Sequence, residues 1–449
     1  MNIRLDSVGC RLNIGEIEAM ARRLAGRGHR VVPQGERADL CILNSCAVTA
    51  IASRKSRHFI RQLRRNNPKA RLVVTGCLAE LEPETLASLG VDLVIGNDDK
   101  DRIPTILHER GLLETEHAST TRANPPSQGF SSRTRAFLKV QDGCDSSCAY
   151  CVVTIARGAG RSLAMADLVD EIGRLVDLGF REIVLSGVHL GSYGHDLGRP
   201  NGLEELVLRI LNNTGVRRLR LSSLEPWDLD DGFFRLFTDP RLLPHLHLPL
   251  QSGCDATLKR MARKTTADGY SKLVAAARSA IPDVSISTDI MVGFPGETDT
   301  EFEESLANVT ALEFSRLHVF RFSRREGTAA AAMPGQVPGP VSRQRSRRMH
   351  ELGARLAADF HRRFVNRQRP VLWESAEAVG PGRRWSGLTD NYIRVLTETN
   401  DSVDLTNRIT EARLEHCIPG AMLCSIPGVS STGVIPHSHR STVSLPLVD

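Results

Sequence analysis

Three cysteines fall within eight residues, Cys144-Asp-Ser-Ser-Cys148-Ala-Tyr-Cys151, directly after the apolar run Ala136–Val140. Three thiolates on one tight loop can hold three irons of a cubane and leave the fourth iron open as a substrate site. A structural zinc asks for four protein ligands, and this loop offers three. Plain burial of unligated thiols is the remaining reading, and the C-x3-C-x2-C spacing speaks against it.

A second set is spread along the first eighty residues. Cys10, Cys46 and Cys77 each stand just beyond a strand pattern: Ile3–Val8, Leu40–Leu43 and Leu72–Val74. Strands that alternate with helices run parallel, so all three thiols emerge at one edge of the sheet, where open α/β sheets bind ligands. Three converging thiolates can hold a second cluster, again with one iron free. Each cysteine alone reads equally as a small buried hydrophobe. Cys41 lies inside a strand and reads as core, and Cys254, Cys417 and Cys424 have no partner spacing.

The elements that must position these loops follow from patterning. The chain has 449 residues, 41% hydrophobic and 24% charged, which is enough for several globular domains. No apolar run approaches the length of a membrane span, and the start MNIRLDSVGC has no apolar leader core, so a cytoplasmic protein is expected. Ten cysteines in that compartment indicate metal or redox chemistry rather than disulfides.

Residues 1–110 predict a parallel α/β sheet domain, with a strand at Leu93–Ile95 closing the series, and 111–135 predict a linker. Six β/α units follow, with candidate strands at Ala136–Val140, Ile183–Leu185, Arg218–Leu221, His245–Leu248, Val284–Ile290 and Leu317–Phe322. They predict a partial (β/α)6 barrel whose site lies at the C-terminal strand ends. This second domain spans 136–369 and ends in an Arg-rich segment, helical after Ser342. Short β patterns between Gly turns predict a small β-barrel over 370–436, followed by a tail at 437–449.

At those strand ends stand Gly187, Ser223, Glu225, Gln251, Ser252 and Asp289, the candidate pocket residues, although polar loop residues are common anywhere. Gly187, Gly191 and Gly194 can admit a cofactor to the backbone or serve as turn glycines. Arg157 and Arg161 follow the cluster loop, where carboxylate or phosphate contact competes with solvent exposure. His245 and His247 share a strand face and read as barrel filling or hydrogen-bonded core. The net charge is +6, with 51 Arg against 7 Lys. Arg54, Lys55, Arg57, Arg61, Arg64 and Arg65 share one segment, and nine Arg lie between Ser342 and Pro370. Such runs are either solvated faces or tracks for a nucleic-acid backbone.

These residues resemble the radical S-adenosylmethionine (SAM) methylthiotransferases. The resemblance rests on VGCRLNIGEIEAM, LNSCAV, TGCLAE, GCDSSCAYCVVTIARG, LSGVHLGSYG, LHLPLQSG, DIMVGFPGETDTEF and HVFRFSRREGTAA. The tail segment GLTDNYIRV resembles the TRAM domain, an RNA-binding barrel. Phe322 departs from the family, in which many members carry Tyr. Gly9–Asn13 (GCRLN) and Ser222–Pro226 (SSLEP) look most like the branch that acts on N6-threonylcarbamoyladenosine in tRNA.

The resemblance implies two [4Fe–4S] clusters and no acid–base residues. Cys144, Cys148 and Cys151 would hold the cluster that cleaves SAM to a 5′-deoxyadenosyl radical. Cys10, Cys46 and Cys77 would hold an auxiliary cluster that handles sulfur, and a second SAM would give the methyl group. The implied partners are the tRNA anticodon loop, an electron donor such as flavodoxin or ferredoxin, and a sulfur donor. Two related activities compete, on N6-isopentenyladenosine in tRNA and on a ribosomal-protein aspartate. A non-catalytic zinc- or cluster-stabilised RNA-binding protein is the reading from another class.

Overall fold

The computed structural model describes residues 1–113 and 134–429, so most of the expected linker and everything after Val429 lie outside it. Five parallel strands form the N-terminal sheet: β1 (Asn2–Ser7), β2 (Arg30–Val31), β3 (Leu40–Ser45), β4 (Arg71–Gly76) and β5 (Leu93–Val94). Their order is β2-β1-β3-β4-β5. β3 is buried along its whole length, as a central strand covered on both faces must be. The helices Arg11–Gly26 and Ala50–Asn66 return the chain between strands, and Thr49 caps the second by accepting from the Ala52 N–H. The short β2 has no counterpart in the sequence reading, because two residues carry no periodic signal.

The central domain has β6 (Arg135–Lys139), β7 (Gln141–Asp142), β8 (Arg161–Ser162), β9 (Glu182–Ser186), β10 (Arg218–Leu221), β11 (His245–His247), β12 (Ser285–Val292) and β13 (Arg316–Arg321). Two parallel sheets, β10-β9-β6 and β11-β12-β13, are joined by bridges between Leu219 and Leu242 and between Ser223 and His247. The result is the expected six-stranded open barrel, with β6 and β13 as its edges.

Both edges are covered. Helix Arg11–Gly26 lies on β6, so close that a Cβ on Gly15 would sit 2.6 Å from the Phe137 carbonyl oxygen. Helix Gly339–Arg362 lies on β13, with Gly353 against Leu317. That helix starts three residues before Ser342. Pro340 occupies its first turn, where the missing N–H costs nothing.

The C-terminal unit is a closed barrel of β14 (Gln368–Val379), β15 (Gly382–Thr389), β16 (Arg394–Asn400), β17 (Ile409–Ile418) and β18 (Ala421–Ser425). It closes on the buried Trp373 and Trp385, whose indole N–H groups donate to Thr410 and Thr399. Its β15–β16 turn plugs the N-terminal end of the central barrel. There Arg218 and Arg220, both paired to the fully buried Glu182 at 2.8 Å, donate to the carbonyls of Leu388, Thr389 and Asp390. Breaking such a buried charge group costs about 3–5 kcal/mol. Among the described residues no helix is long and apolar enough to cross a membrane.

Candidate cluster and cofactor site

The loop from Gly143 to Val152 leaves the C-terminal end of β7. The Cys144 N–H donates to the Gly158 carbonyl and the Cys151 N–H to that of Cys148, so the chain doubles back and gathers the three sulfurs. All three cysteines are half-buried and free of disulfides. Burial and the neighbouring sulfurs of Cys148 and Cys144 push the Cys151 thiol up to about 11. Cys144 goes the other way. Burial opposes its charge, but a contact from His189 Nδ1 at 3.7 Å and backbone donation from Ser146 lower it. Burial also opposes charge on His189, yet Asp228, 2.6 Å from Nε2, and Cys144 raise it to about 10. The Arg263 guanidinium reaches Cys148 Sγ at 3.7 Å, grips the Glu225 carboxylate at 2.6 Å and lies over Trp227.

The N-terminal thiols meet at the C-terminal edges of β1, β3 and β4. Gly9 has φ +113°, and a Cβ there would stand 2.7 Å from Cys46 Sγ, so glycine is what lets the Cys10 and Cys46 loops close on each other. Cys46 and Cys77 are buried, whereas Cys10 is exposed. Burial, then Cys10 and Cys77, push the Cys46 thiol up to about 12, so the three sulfurs feel one another. Among the described residues no three His, Cys, Asp or Glu side chains close on a single metal ion. A cubane takes its thiolates on separate irons, so a set of three cysteines suits a cluster better than a tetrahedral zinc, which asks for four ligands.

The pocket candidates line the same end of the central barrel. Gly187 follows β9 against Gln141. Ser223 and Glu225 follow β10, with Glu225 held by Arg263. Gln251 has φ 74° and bridges Ile290, and its N–H donates to the Asp289 carbonyl. Ser252 is buried and its hydroxyl accepts from the Cys254 N–H, supporting the next helix. Asp289 points inward to His247 Nε2 at 3.3 Å. Burial would raise its carboxyl, but His247 and His318 hold it below the usual carboxylate range. His247 also meets Ser287 at 2.9 Å, and His245 stacks on Tyr392, so both histidines are hydrogen-bonded or stacked barrel lining.

Both arginines after the cluster loop meet carboxylates: Arg157 is buried against Glu16 and Asp142, and Arg161 pairs with Asp98 at 3.0 Å. His189, Asp228, Arg263, Glu16 and Lys100 were not anticipated from sequence. Their partners lie far along the chain, and only the loop position of His189, two residues after Gly187, carried a signal. The Arg-rich runs divide. Arg57 and Arg64 pair with Glu82 and Asp92. Arg345, Arg348, Arg367 and Arg369 pair with Glu297, Glu303 and Asp283. Exposed Arg343 and Arg347 instead join Arg321 and His350 around an open cavity of about 510 Å³. Arg321 ends β13 and precedes Phe322, which packs through Phe294 to Tyr150 of the cluster loop, so this cavity, lined also by Ser346 and Glu351, lies beside the C-terminal end of that edge strand.

Comparison with known proteins agrees with this geometry. Residues 2–96 match the Uncharacterized protein family UPF0004, and residues 138–309 match the Radical SAM superfamily. The threonylcarbamoyladenosine tRNA methylthiotransferase MtaB of Thermotoga maritima is 40% identical over 87% of this chain and 90% of its own. The Bacillus subtilis protein of that name is 33% identical over 92% and 93%. A tRNA-2-methylthio-N(6)-dimethylallyladenosine synthase of Novosphingobium aromaticivorans is 36% identical over 86% and 88%. Among solved structures, the radical SAM methyltransferase TsrM of Kitasatospora setae superposes with a TM-score of 0.53 at 15% identity, covering 74% of this chain and 77% of that one, which shows the shared fold. The chain belongs to the radical SAM tRNA methylthiotransferase family, whose chemistry uses SAM and a [4Fe–4S] cluster.

Proposed function

We propose that the chain adds a methylthio group to C2 of N6-threonylcarbamoyladenosine in the tRNA anticodon loop, using two [4Fe–4S] clusters. The observation that carries this reading is the presence of two cysteine triplets on facing domains, at the ligand-binding edge of each parallel sheet. Cys144, Cys148 and Cys151 would hold one cluster, and Cys10, Cys46 and Cys77 the other. A cluster held there would supply, with an electron from an external donor, the reductive cleavage of SAM that an otherwise inert aryl C–H bond requires.

The protein's own side chains do the holding. His189, fixed by Asp228, and Arg263, fixed by Glu225, set cationic charge beside Cys144 and Cys148; it brings the Cys144 thiol down, while at Cys148 burial pushes the thiol up against Arg263. Gly187, Ser223, Gln251, Ser252 and Asp289 would line the SAM pocket around them. The guanidiniums of Arg321, Arg343 and Arg347 would hold RNA phosphates beside the C-terminal end of β13, while an unpaired anticodon-loop base, which unstacks at least cost, enters the barrel. An electron donor such as flavodoxin or ferredoxin, and a sulfur donor, would come from outside.

Relatives named for the threonylcarbamoyl nucleoside support that substrate, and those named for the dimethylallyl nucleoside keep it as the second reading. Nucleoside analysis of tRNA from a strain lacking the gene decides between them. The expected result is loss of the 2-methylthio form of N6-threonylcarbamoyladenosine, with its unmodified precursor accumulating. Loss of the 2-methylthio isopentenyl nucleoside instead would select the second reading.

A further inference from the structure

Hydrogen bonds through one largely buried guanidinium tie together the segments that carry the two cysteine triplets. Arg157 is 3% exposed. Its Nη2 donates to Asn13 Oδ1 at 2.9 Å, and its Nη1 to Glu16 Oε1 at 2.9 Å and to Asp142 Oδ1 at 2.8 Å. On the N-terminal side, the Asn13 amide donates to the carbonyls of Val8 and Ser45 at 2.9 and 3.2 Å, one in each loop that leads to Cys10 and Cys46. The Ser45 hydroxyl donates onward to the Thr75 carbonyl, two residues before Cys77. On the other side, Asp142 Oδ1 accepts from the Gly143 N–H, and Cys144 is tied to the Gly158 carbonyl next to Arg157 itself. Every cysteine-bearing segment of the N-terminal domain is thus referenced to the root of the C-x3-C-x2-C loop.

Arg157, Lys100 and Lys139 surround the carboxylates of Glu16 and Asp142, and Lys139 also reaches Asp101 at 3.8 Å, so three cations meet three carboxylates. The layer lies within electrostatic reach of Cys10 and Cys77.

We propose that Arg157 is a positioning residue that fixes the separation and orientation of the two cluster loops, with Asn13 and Glu16 as its anchors. This rests on the two-cluster reading above. Only a planar fork with several fixed donors can span Asn13, Glu16 and Asp142 together, so Lys cannot replace it. A misplacement of about 1 Å between reacting groups can cost on the order of 100-fold in rate.

The test uses full-length protein reconstituted with iron and sulfide, as wild type, Arg157→Lys, Arg157→Met and the milder Glu16→Gln. Each variant is expected to bind as much iron as wild type and to keep forming 5′-deoxyadenosine. The yield of methylthiolated nucleoside per 5′-deoxyadenosine should fall by about tenfold or more in both Arg157 variants, and by less in Glu16→Gln. With both clusters reduced, the magnetic coupling between them, read by pulsed EPR without tRNA, should differ from wild type. That readout is independent of which nucleoside is modified, so it separates this proposal from the substrate assignment. Unchanged coupling and an unchanged product ratio would overturn the proposal. So would selective loss of the iron of one cluster, because Arg157 would then serve cluster assembly rather than placement.

Discussion

The ring of Tyr392, carried on the β15–β16 turn of the C-terminal barrel, stacks on His245 of β11 with centroids 4.4 Å apart. Three guanidiniums surround it: Arg220 lies over the ring at 4.5 Å, Arg11 donates to the hydroxyl at 2.7 Å, and Arg135 lies on the third side. The C-terminal barrel therefore docks through a tyrosine buried among cations, one of them Arg11, the residue after Cys10.

That contact is pH-dependent. Burial alone would raise the Tyr392 hydroxyl, but Arg11, Arg135 and Arg220 bring it down to about 8. A free tyrosine ionises near ~10, so the folded state loses its proton first. The stabilisation is absent below about pH 8, grows between about pH 8 and 10, and is complete above that. The difference in unfolding free energy between wild type and Tyr392→Phe should widen over that window by on the order of 2 kcal/mol. Urea titrations at about pH 7.5 and 10 check it, and a constant difference would contradict it.

Gly15 sets how closely helix Arg11–Gly26 approaches β6. Gly15→Ala would place a methyl 2.6 Å from the Phe137 carbonyl oxygen. The expected cost is about 1–3 kcal/mol, with the N-terminal sheet loosened from the central barrel. Thermal unfolding and limited proteolysis near residue 113 should both register it.

Arg343 and Arg347 should carry RNA affinity without touching the cofactor chemistry. Replacing both with Gln should weaken binding of an anticodon stem-loop. It should also flatten the dependence of log Kd on log salt by about two phosphate contacts, or about 1.4–1.8 in slope. Formation of 5′-deoxyadenosine without RNA should not change. Arg345→Gln, by contrast, should act on stability, because that side chain is buried against Glu297 and Asp299.

The sequence carried the architecture and the two cysteine triplets because both obey short-range rules. Strand–helix alternation dictates a parallel sheet, and parallel strands bring Cys10, Cys46 and Cys77 to one edge however far apart they lie in sequence. The second layer was not legible. Arg157 finds Asn13 at a separation of 144 residues, and Arg263 finds Cys148 at 115. No periodicity encodes such pairings. The nine Arg between Ser342 and Pro370 look uniform in sequence, yet Arg345 is a buried strut paired to Glu297, whereas Arg343 is exposed and has no ion pair among the described residues. Tyr392 sits in a motif suggestive of RNA binding, but its positive φ of 70° turns the side chain to the barrel floor instead.

Cys46→Ala separates the work proposed for the two cysteine triplets. Cys46 lies in the N-terminal sheet domain, away from the loop that carries Cys144, Cys148 and Cys151. The measurement is 5′-deoxyadenosine and methylthiolated nucleoside from the same reaction of the anaerobically reconstituted variant with SAM, reductant and tRNA. The expected result is that 5′-deoxyadenosine still forms while no methylthiolated nucleoside appears. Full methylthiolation by Cys46→Ala would contradict it.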